Sequence, residues 1–468
     1  KWIRGAGNAV SLKKTKIICT IGPASIFPDV LKEMHRQGMN GVRINTAYND
    51  LDYFKTVVKN VRDIADIPII IDIKGPNVRL NARSRRVVQK GERIVIGFED
   101  EEISFNYDFY NNIDVGDRVL IDNGRVETEV MNKDGRRLQL LVLNDGVLDD
   151  RKGVNVPRKK LSVPPLSEKD MDSIKFAVDN DCEYIALSFT RSPWDVENLR
   201  RAAEGFEGAV IAKIENFEGV ECFESILKVA DSIMVARGDL GVEIEPERVP
   251  LLQKWMIRLC NNVGKTVITA TDVLESMINS PIPTRSEASD VANTILDGTD
   301  AVATSGETAI GKYPVKTVSM IKRIADEVEK AVQNRVKKAT FINISETISH
   351  SIQRIAYDMP LNKIVTLTKS GYTARMISRF KPEQEIIAVT PSKLVRNQLE
   401  IAYGVTPVWI DYLQEKDRIL CVAKDLHTKG FLNYEDMVLF TASFRTNEKH
   451  SSNLIEIHRI RELLELID

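Results

Sequence analysis

One lysine and two acidic residues follow short apolar segments, at a spacing that suits metal-assisted phosphoryl transfer. Lys213 and Glu215 are two residues apart at the end of a predicted strand, so their side chains point to the same side. Asp239 follows the next such segment. Two carboxylates could hold Mg²⁺ while substrate and water complete the octahedron, and the lysine could neutralise a transferring phosphoryl group. Taken alone, Lys213 and Glu215 could equally form a buried ion pair at the rim of the fold.

Other polar residues follow neighbouring predicted strands and would converge on the same mouth of a parallel barrel. They are Arg43, Asn45, Asp72, Lys74, Arg237, Gly238, Thr271, Ser305 and Glu307. None of the five histidines is among them, so the pattern disfavours imidazole acid–base chemistry. The Gly238–Gly241 tetrapeptide could also be a plain turn into a helix. Burying so many charges together without a ligand would be costly, however, and the whole set favours a functional site.

Length and composition indicate a multidomain globular protein. The chain has 468 residues, with 43% hydrophobic and 28% charged, which predicts about three domains. A formal net charge of −2 gives no basic field for nucleic acid or a membrane surface. No apolar run approaches the roughly 20 residues of a membrane helix, and residues 1–14 lack the apolar core of a secretory signal. Five scattered cysteines without metal-ligand spacing favour a cytoplasmic protein.

Eight short, β-branched apolar segments alternate with amphipathic ones, which predicts βα units with strands buried on both faces. These strands are predicted at residues 16–20, 41–45, 68–72, 184–188, 209–213, 232–236, 266–270 and 301–304. Eight repeats favour a closed (β/α)₈ TIM barrel, although a large open sheet would give the same count.

Two regions depart from this alternation. Residues 81–161 contain short strands separated by Gly-Asp, Asn-Gly and Asp-Gly turns, as antiparallel hairpins require, and predict a small inserted β-barrel lid. Residues 339–468 alternate four strands with helices and predict a doubly wound α/β domain. The TIM barrel would then comprise residues 14–80 and 162–338, after an N-terminal segment of residues 1–13. The closing run, 459–468, is predicted to be a solvated helix end.

Long motifs resemble the pyruvate kinase family and occur in the family's order. They include KTKIICTIGPAS at 14–25, DIKGPNVR at 72–79, KIENFEG at 213–219, MVARGDLGVE at 234–243, PTRSEASDVANTILDG at 283–298, SGETAIGKYP at 305–314 and TKSGYTAR at 368–375. The resemblance implies phosphoryl transfer from phosphoenolpyruvate to ADP, giving pyruvate and ATP, by a cytoplasmic homotetramer that uses Mg²⁺ or Mn²⁺.

The resemblance also implies residue roles. Arg43 would bind the substrate phosphate and Lys213 would stabilise the phosphoryl group and the enolate, while Glu215 and Asp239 would ligate the divalent metal. Gly238, Asp239 and Thr271 would contact the substrate carboxylate, and Thr271 with Ser305 would protonate the enolate. Arg79 and Lys152, at the lid hinges, would meet the nucleotide phosphates.

Two departures from the family pattern concern its monovalent cation and its effector. Asn45 and Asp72 match potassium ligands, but Ala47 and Ile73 replace two hydroxyl ligands, so K⁺ is predicted to be unnecessary or weakly bound. Thr368, Lys369, Ser370, Gly371 and Thr373 form a predicted phosphate turn that could also merely cap its helix. Residues 444–453, FRTNEKHSSN, contain no glycine, which disfavours fructose 1,6-bisphosphate and leaves another phosphorylated effector, or none.

Two other functions remain compatible with the sequence. A non-catalytic paralogue could keep the fold as a binding or regulatory protein. A different metal-dependent barrel enzyme could act on phosphoenolpyruvate or a 2-oxo acid. Retention of Lys213, Glu215 and Asp239 together argues against the first, and the inserted lid argues against the second.

Overall fold

Eight parallel strands close into a barrel in the computed structural model, which describes residues 13–48, 50–99, 101–332, 343–412, 417–443 and 452–465. The first strand pairs with the eighth, with Lys16 opposite Ala301, and this pairing closes the ring. The strands are Lys16–Thr20, Gly41–Asn45, Ile69–Ile73, Tyr184–Leu187, Ala209–Ile214, Ser232–Ala236, Thr266–Ala270 and Ala301–Thr304. The predicted TIM barrel is therefore confirmed, and the open-sheet alternative is wrong.

Helices surround the barrel because its strands are apolar on both faces and need an outer cover. Nearly every strand residue is buried, and a ring of helix side chains that includes Leu31, Phe54 and Ile257 completes the core. The α-helices are Pro28–Arg36, Leu51–Arg62, Glu168–Asp179, Pro193–Ala202, Phe217–Glu221, Phe223–Val229, Arg237–Glu243, Val249–Val263, Arg285–Asp297, Gly306–Ala309 and Pro314–Val328. Short 3₁₀ turns occupy Pro246–Arg248, Glu275–Ile278 and Glu329–Ala331.

The inserted region has its own apolar core and forms a nearly closed small barrel. Its strands are Leu80–Ala82, Arg86–Val88, Arg93–Gly97, Ile103–Phe105, Arg118–Ile121, Val126–Asp134, Arg137–Val142, Gly146–Leu148 and Val154–Asn155, with a 3₁₀ turn at Tyr110–Asn112. Where the chain leaves and re-enters the TIM barrel, Arg79 pairs with Gly153, and the Leu80 amide donates to the Lys152 carbonyl at 2.8 Å. The chain thus leaves and re-enters the TIM barrel as one pair of adjacent segments, and Asn155 of the insertion also donates to Glu243 of the TIM barrel at 2.6 Å.

The C-terminal region is an α/β domain, as predicted, and its sheet has five strands where the sequence predicted four. Its strands are Lys363–Leu367, Glu385–Thr390, Val405–Trp409, Met437–Ala442 and Leu454–Arg459. Its helices are Ile344–Asp358, Tyr372–Ser378, Lys393–Leu399, Arg418–Thr428 and Ile460–Leu464. The last strand is antiparallel to Met437–Ala442, and the sequence did not predict it.

The prediction of a solvated helix end for 459–468 is correct for the short helix Ile460–Leu464 and the exposed Arg461, Glu462 and Glu465, but not for its apolar residues. Ile460 and Leu463 are buried against the helix Arg418–Thr428, because the short helix turns its two apolar residues inward. The proposed domain boundaries remain predictions, and the boundary at 338 lies outside the described residues. Among the described helices, none is long and apolar enough to cross a membrane.

Candidate active site

A buried network of alternating charges lies where the second, third and fifth barrel strands end. Asp72 is at its centre: its carboxylate accepts from Arg43 Nε at 2.5 Å and from Lys213 Nζ at 3.1 Å. Lys213 Nζ also lies 3.0 Å from Glu215 Oε1. Because parallel strands align their carboxyl ends, residues far apart in the chain meet at one mouth.

Ser188 completes this network, and the sequence did not single it out. It follows the fourth barrel strand, accepts from Lys213 Nζ at 2.7 Å and donates to Asp72 Oδ1 at 3.0 Å. Its only sequence signal is its place directly after an apolar strand. The hydroxyl fixes the lysine ammonium from a second side, so Lys213 is held in one position before any substrate arrives.

Electrostatics divide the carboxylates into two kinds. Burial alone would raise the pKa of Asp72, but Arg43 and Lys213 outweigh it and hold the pKa below its usual value. Burial raises the pKa of Glu215 to about 7, because Asp239 and Asp72 add to its effect and Lys213 only partly offsets it. Burial likewise raises the pKa of Asp239. The positive charge around Glu215 and Asp239 is therefore too small to offset the burial of their carboxylates.

Lys213 remains charged despite its burial. Burial is the largest single influence and would lower its pKa, yet Asp72 and Glu215 together raise the pKa above the usual value. A permanent ammonium with three donors, 5% exposed, is the group that a phosphoryl oxygen would meet at this mouth.

The loop after the seventh strand has an unusual backbone. Thr271 and Asp272 have φ of 66° and 51°, in the left-handed region that non-glycine residues seldom adopt. The Gly238 amide donates to Thr271 Oγ1 at 2.7 Å, which ties this loop to the Gly238-Asp239 turn. On the neighbouring strand Ala303 pairs with Ala270, and Ser305 directly follows that strand.

Arg237 holds this strained loop, a role that the sequence did not predict. Its guanidinium donates to the Thr271 carbonyl from Nη2 at 2.8 Å and to the Asp272 carbonyl at 3.0 Å. Nη1 pairs with Asp290 at 2.6 Å. Its only signal in the sequence is its position immediately before Gly238. Arg237 is thus a positioning residue for the Thr271 hydroxyl.

We predict that Arg237→Lys will lower kcat by about 10- to 100-fold, because a small displacement of a positioned group has a cost of that order. Lysine cannot span two carbonyls as the planar guanidinium does. Initial-rate kinetics would measure the effect. Asp290→Asn, which weakens only the outer ion pair, should stay within about twofold since it leaves both carbonyl bonds intact. Equal losses in the two variants would contradict this assignment.

The predicted residue Asn45 lies beside the charged network, and the predicted nucleotide-binding residues lie at the lid hinge. Asn45 pairs with Asp72 in strand register, and its side chain accepts from the Ala47 amide at 3.0 Å. At the lid hinge, Arg79 Nη1 donates to the Arg151 carbonyl at 2.6 Å, and Lys152 Nζ bonds Asp122 at 3.2 Å.

The predicted phosphate turn lies in the C-terminal domain. Thr368 Oγ1 accepts from the Gly371 amide at 3.0 Å, and Thr373 Oγ1 contacts Ser452 Oγ at 2.6 Å. Lys369 and Ser370 lie between them in the turn. Most of the glycine-free segment 444–453 falls outside the described residues.

A closed (β/α)₈ barrel with two carboxylates and a lysine at its carboxyl mouth is suited to metal-assisted phosphoryl transfer. Comparison with known families agrees: residues 12–318 match the model for the pyruvate kinase barrel domain, and 346–458 match that for the pyruvate kinase alpha/beta domain. The chain belongs to the pyruvate kinase family.

Curated relatives named pyruvate kinase are similar over nearly the whole chain. The protein from Bacillus licheniformis is 39% identical across 97% of this chain and 81% of its own length. The protein from Geobacillus stearothermophilus is 40% identical with the same coverage, and one from Staphylococcus epidermidis is 39% identical over 96% of this chain and 81% of its own. These relatives support an enzyme and do not favour the non-catalytic paralogue.

Proposed function

We propose that this enzyme transfers the phosphoryl group of phosphoenolpyruvate to ADP at the carboxyl mouth of the TIM barrel, giving pyruvate and ATP. The observation that carries the proposal is the cluster of Lys213, Glu215 and Asp239. It places one fixed cation among two buried carboxylates, and the charge of Lys213 only partly offsets the effect of burial on their pKa values. Phosphoryl transfer needs little else from the protein than position and charge neutralisation.

Glu215 and Asp239 fit a divalent metal, either Mg²⁺ or Mn²⁺. Their pKa values are raised by burial, which means that the folded chain disfavours their negative charges until a cation arrives. Among the described residues no group of three or more His, Cys, Asp and Glu side chains could hold a metal. Mg²⁺ commonly binds through one or two carboxylates plus substrate oxygens. When bound, the metal would neutralise phosphoryl and enolate charge.

Arg43 and Lys213 would bind the phosphoryl oxygens, since both are buried cations directed to the mouth. As the P–O bond breaks, its electron pair goes to the enolate oxygen and the ADP oxygen bonds to phosphorus. The enolate carbon must then take a proton. Thr271 and Ser305 would deliver it through a water, while Gly238 and Asp239 position the substrate carboxylate.

The inserted domain would act as a lid. Arg79 and Lys152 both lie at its hinge, where closure would bring them to the nucleotide phosphates. Closing the lid would exclude water that competes with ADP for the phosphoryl group.

Members of the family generally use K⁺ together with Mg²⁺. This chain departs from the family in the residues that would bind the monovalent cation. The Asp72 carboxylate already meets Arg43, Lys213 and Ser188. Ile73 is fully buried and contributes no oxygen from its side chain. We propose that this cluster does not need K⁺.

We therefore expect the initial rate of pyruvate formation to change by less than about twofold when K⁺ is replaced by Na⁺ or by a large organic cation, because two buried cations already supply the charge. The double variant Ala47→Ser, Ile73→Thr, which adds two hydroxyls, is the matched comparison and should gain K⁺ sensitivity. Strong K⁺ activation of the unaltered enzyme would refute this reading of Ala47 and Ile73.

Two further expectations concern regulation and assembly. The turn at 368–373 would take the phosphate of an effector other than fructose 1,6-bisphosphate, and the enzyme would assemble as a homotetramer. Analytical ultracentrifugation with and without sugar phosphates would test both.

Initial-rate pyruvate formation from phosphoenolpyruvate, Mg²⁺ and a panel of nucleoside diphosphates tests the proposed function. Turnover that requires a nucleoside diphosphate supports it, and the panel gives the acceptor preference. If folded protein gives no pyruvate with any acceptor, the result would support the non-catalytic paralogue instead.

A further inference from the structure

A cavity of about 330 Å³ separates the TIM barrel from the C-terminal domain, away from the mouth of the barrel. We call it the interdomain pocket. Its wall includes Lys254, Trp255 and Arg258 from the barrel helix Val249–Val263, and Arg379 and Lys381 from the C-terminal domain. Both the proposed active site and the phosphate turn lie elsewhere.

Arg379 is the most informative residue in this wall. Arg379 is only 4% exposed, and its Nη1 donates to the Asn262 carbonyl of the barrel at 2.7 Å. Nε and Nη2 are buried and have no hydrogen-bond acceptor within the described part of the chain. These two nitrogens form one edge of the guanidinium, the edge that binds an oxyanion through two parallel bonds. Leaving them unpaired is costly, so the site favours an anionic ligand.

The pocket has an excess of positive charge. Lys254 pairs with Asp297 at 2.5 Å, and Lys381 pairs with Asp300 at 2.5 Å. Arg258 is exposed and forms no ion pair with any residue in the described ranges. Glu346 and Tyr372 act electrostatically on Arg379, but burial outweighs them and lowers the pKa of Arg379. Arg258 and Arg379 are therefore the cations that a ligand would neutralise.

Trp255 supplies a flat apolar surface beside these cations. Its ring packs on Phe223, with centroids 5.0 Å apart, which fixes its orientation. A wall that combines arginines with an indole suits a ligand with a charged group and an apolar or planar part.

We propose that the interdomain pocket binds a small phosphate monoester. The phosphoryl oxygens would accept from Nε and Nη2 of Arg379 and from the guanidinium of Arg258, and the organic part would lie against Trp255. A dianionic phosphate matches two guanidinium groups in charge and geometry better than a single carboxylate does.

Such a ligand would join the two domains. Arg379 directly follows the helix Tyr372–Ser378, and Met376 of that helix packs against Gly264 at the end of Val249–Val263. Gly264 has φ of 69°, so a side chain there would be strained as well as crowded. The helix Val249–Val263 leads through Gly264 to the strand Thr266–Ala270, which Thr271 directly follows. Binding in the pocket should therefore raise the thermal stability of both domains together.

Calorimetric titration with phenyl phosphate and with inorganic phosphate tests the proposal. The titrations are run without divalent metal, so that metal-assisted binding of phosphate at the barrel mouth adds no heat. Arg258→Gln should weaken phenyl phosphate binding at least about tenfold, as expected for a lost bond to a charged group. Arg379→Gln should do the same, and phenyl phosphate should bind more tightly than inorganic phosphate because of Trp255.

Two control variants locate the site. Arg323→Gln removes an exposed arginine from another barrel helix, and Lys369→Gln removes the cation of the phosphate turn. Arg323→Gln should bind phenyl phosphate as the unaltered protein does, and Lys369→Gln should keep the binding that Arg258→Gln loses. The proposal is overturned if neither probe binds at millimolar concentration, or if Arg258→Gln binds normally. It is also overturned if only Lys369→Gln loses binding. Because Arg258 is exposed, its replacement should leave the fold intact, and the heat signal does not depend on catalysis.

Discussion

Replacing Lys213 with methionine should lower kcat for pyruvate formation by about 10³-fold or more, the scale of a cation that stabilises phosphoryl charge in the transition state. Methionine has a similar length but no charge. In the unaltered enzyme, Asp72, Ser188 and Glu215 fix the ammonium of Lys213, so no other side chain can take its place without rearranging the network. A coupled assay of pyruvate at saturating phosphoenolpyruvate, ADP and Mg²⁺ measures the loss.

Stability must be measured beside the rate, because the same change leaves two buried carboxylates without their cation. We expect a lower melting temperature for Lys213→Met and a smaller change for Lys213→Arg. Lys175→Met, at an exposed position on the barrel helix Glu168–Asp179, is the matched control and should leave kcat unchanged. If folded Lys213→Met keeps kcat within tenfold of the unaltered enzyme, the lysine has no central role in the chemistry.

The second large effect is on metal binding. Glu215→Gln and Asp239→Asn should each weaken Mn²⁺ binding by at least about 100-fold, because losing only a supporting group around a metal already costs 10- to 100-fold. An amide is a neutral and weaker ligand than a carboxylate. Electron paramagnetic resonance of free Mn²⁺ gives the affinity directly, without turnover.

Asp272→Asn provides the control for this experiment. Asp272 is close to the site and contributes to the raised pKa of Asp239, but it is not a proposed ligand. Asparagine tolerates the left-handed backbone at this position, where φ is 51°. The Mn²⁺ affinity of the Asp272→Asn variant should change by less than about tenfold, because Asp272 affects the site only as a charge at a distance. Equal losses in all three variants would mean that general charge, and not ligation, holds the metal.

The barrel could be predicted because eight short, mostly apolar strands alternate with amphipathic helices along the chain. The pattern predicts the first and last residues of each strand less precisely. The third strand begins at Ile69 and not at Pro68, because proline has no N–H to give to the ladder. The antiparallel strand Leu454–Arg459 was missed because it is half-buried and contains Glu456, His458 and Arg459, which obscure its apolar alternation.

The candidate site was predictable to the extent that its groups follow strands. Lys213, Glu215 and Asp72 meet as their positions in the barrel imply. The position of Arg237 at the mouth was predicted, but its role, like that of Ser188, was not, since both roles depend on contacts between distant segments. The left-handed backbone at Thr271, which Arg237 supports, has no periodicity or composition that would reveal it.

Phosphorus NMR of one reaction tests the central claim most directly. The unaltered enzyme would be mixed with phosphoenolpyruvate, ADP and Mg²⁺, and the phosphorus signals followed while pyruvate is assayed in the same tube. We predict that the phosphoenolpyruvate signal falls as the γ-phosphorus of ATP rises, in a ratio of about one to one with pyruvate, as direct transfer requires. Pyruvate accompanied by inorganic phosphate in place of ATP, or no change in the phosphoenolpyruvate signal, would contradict the account.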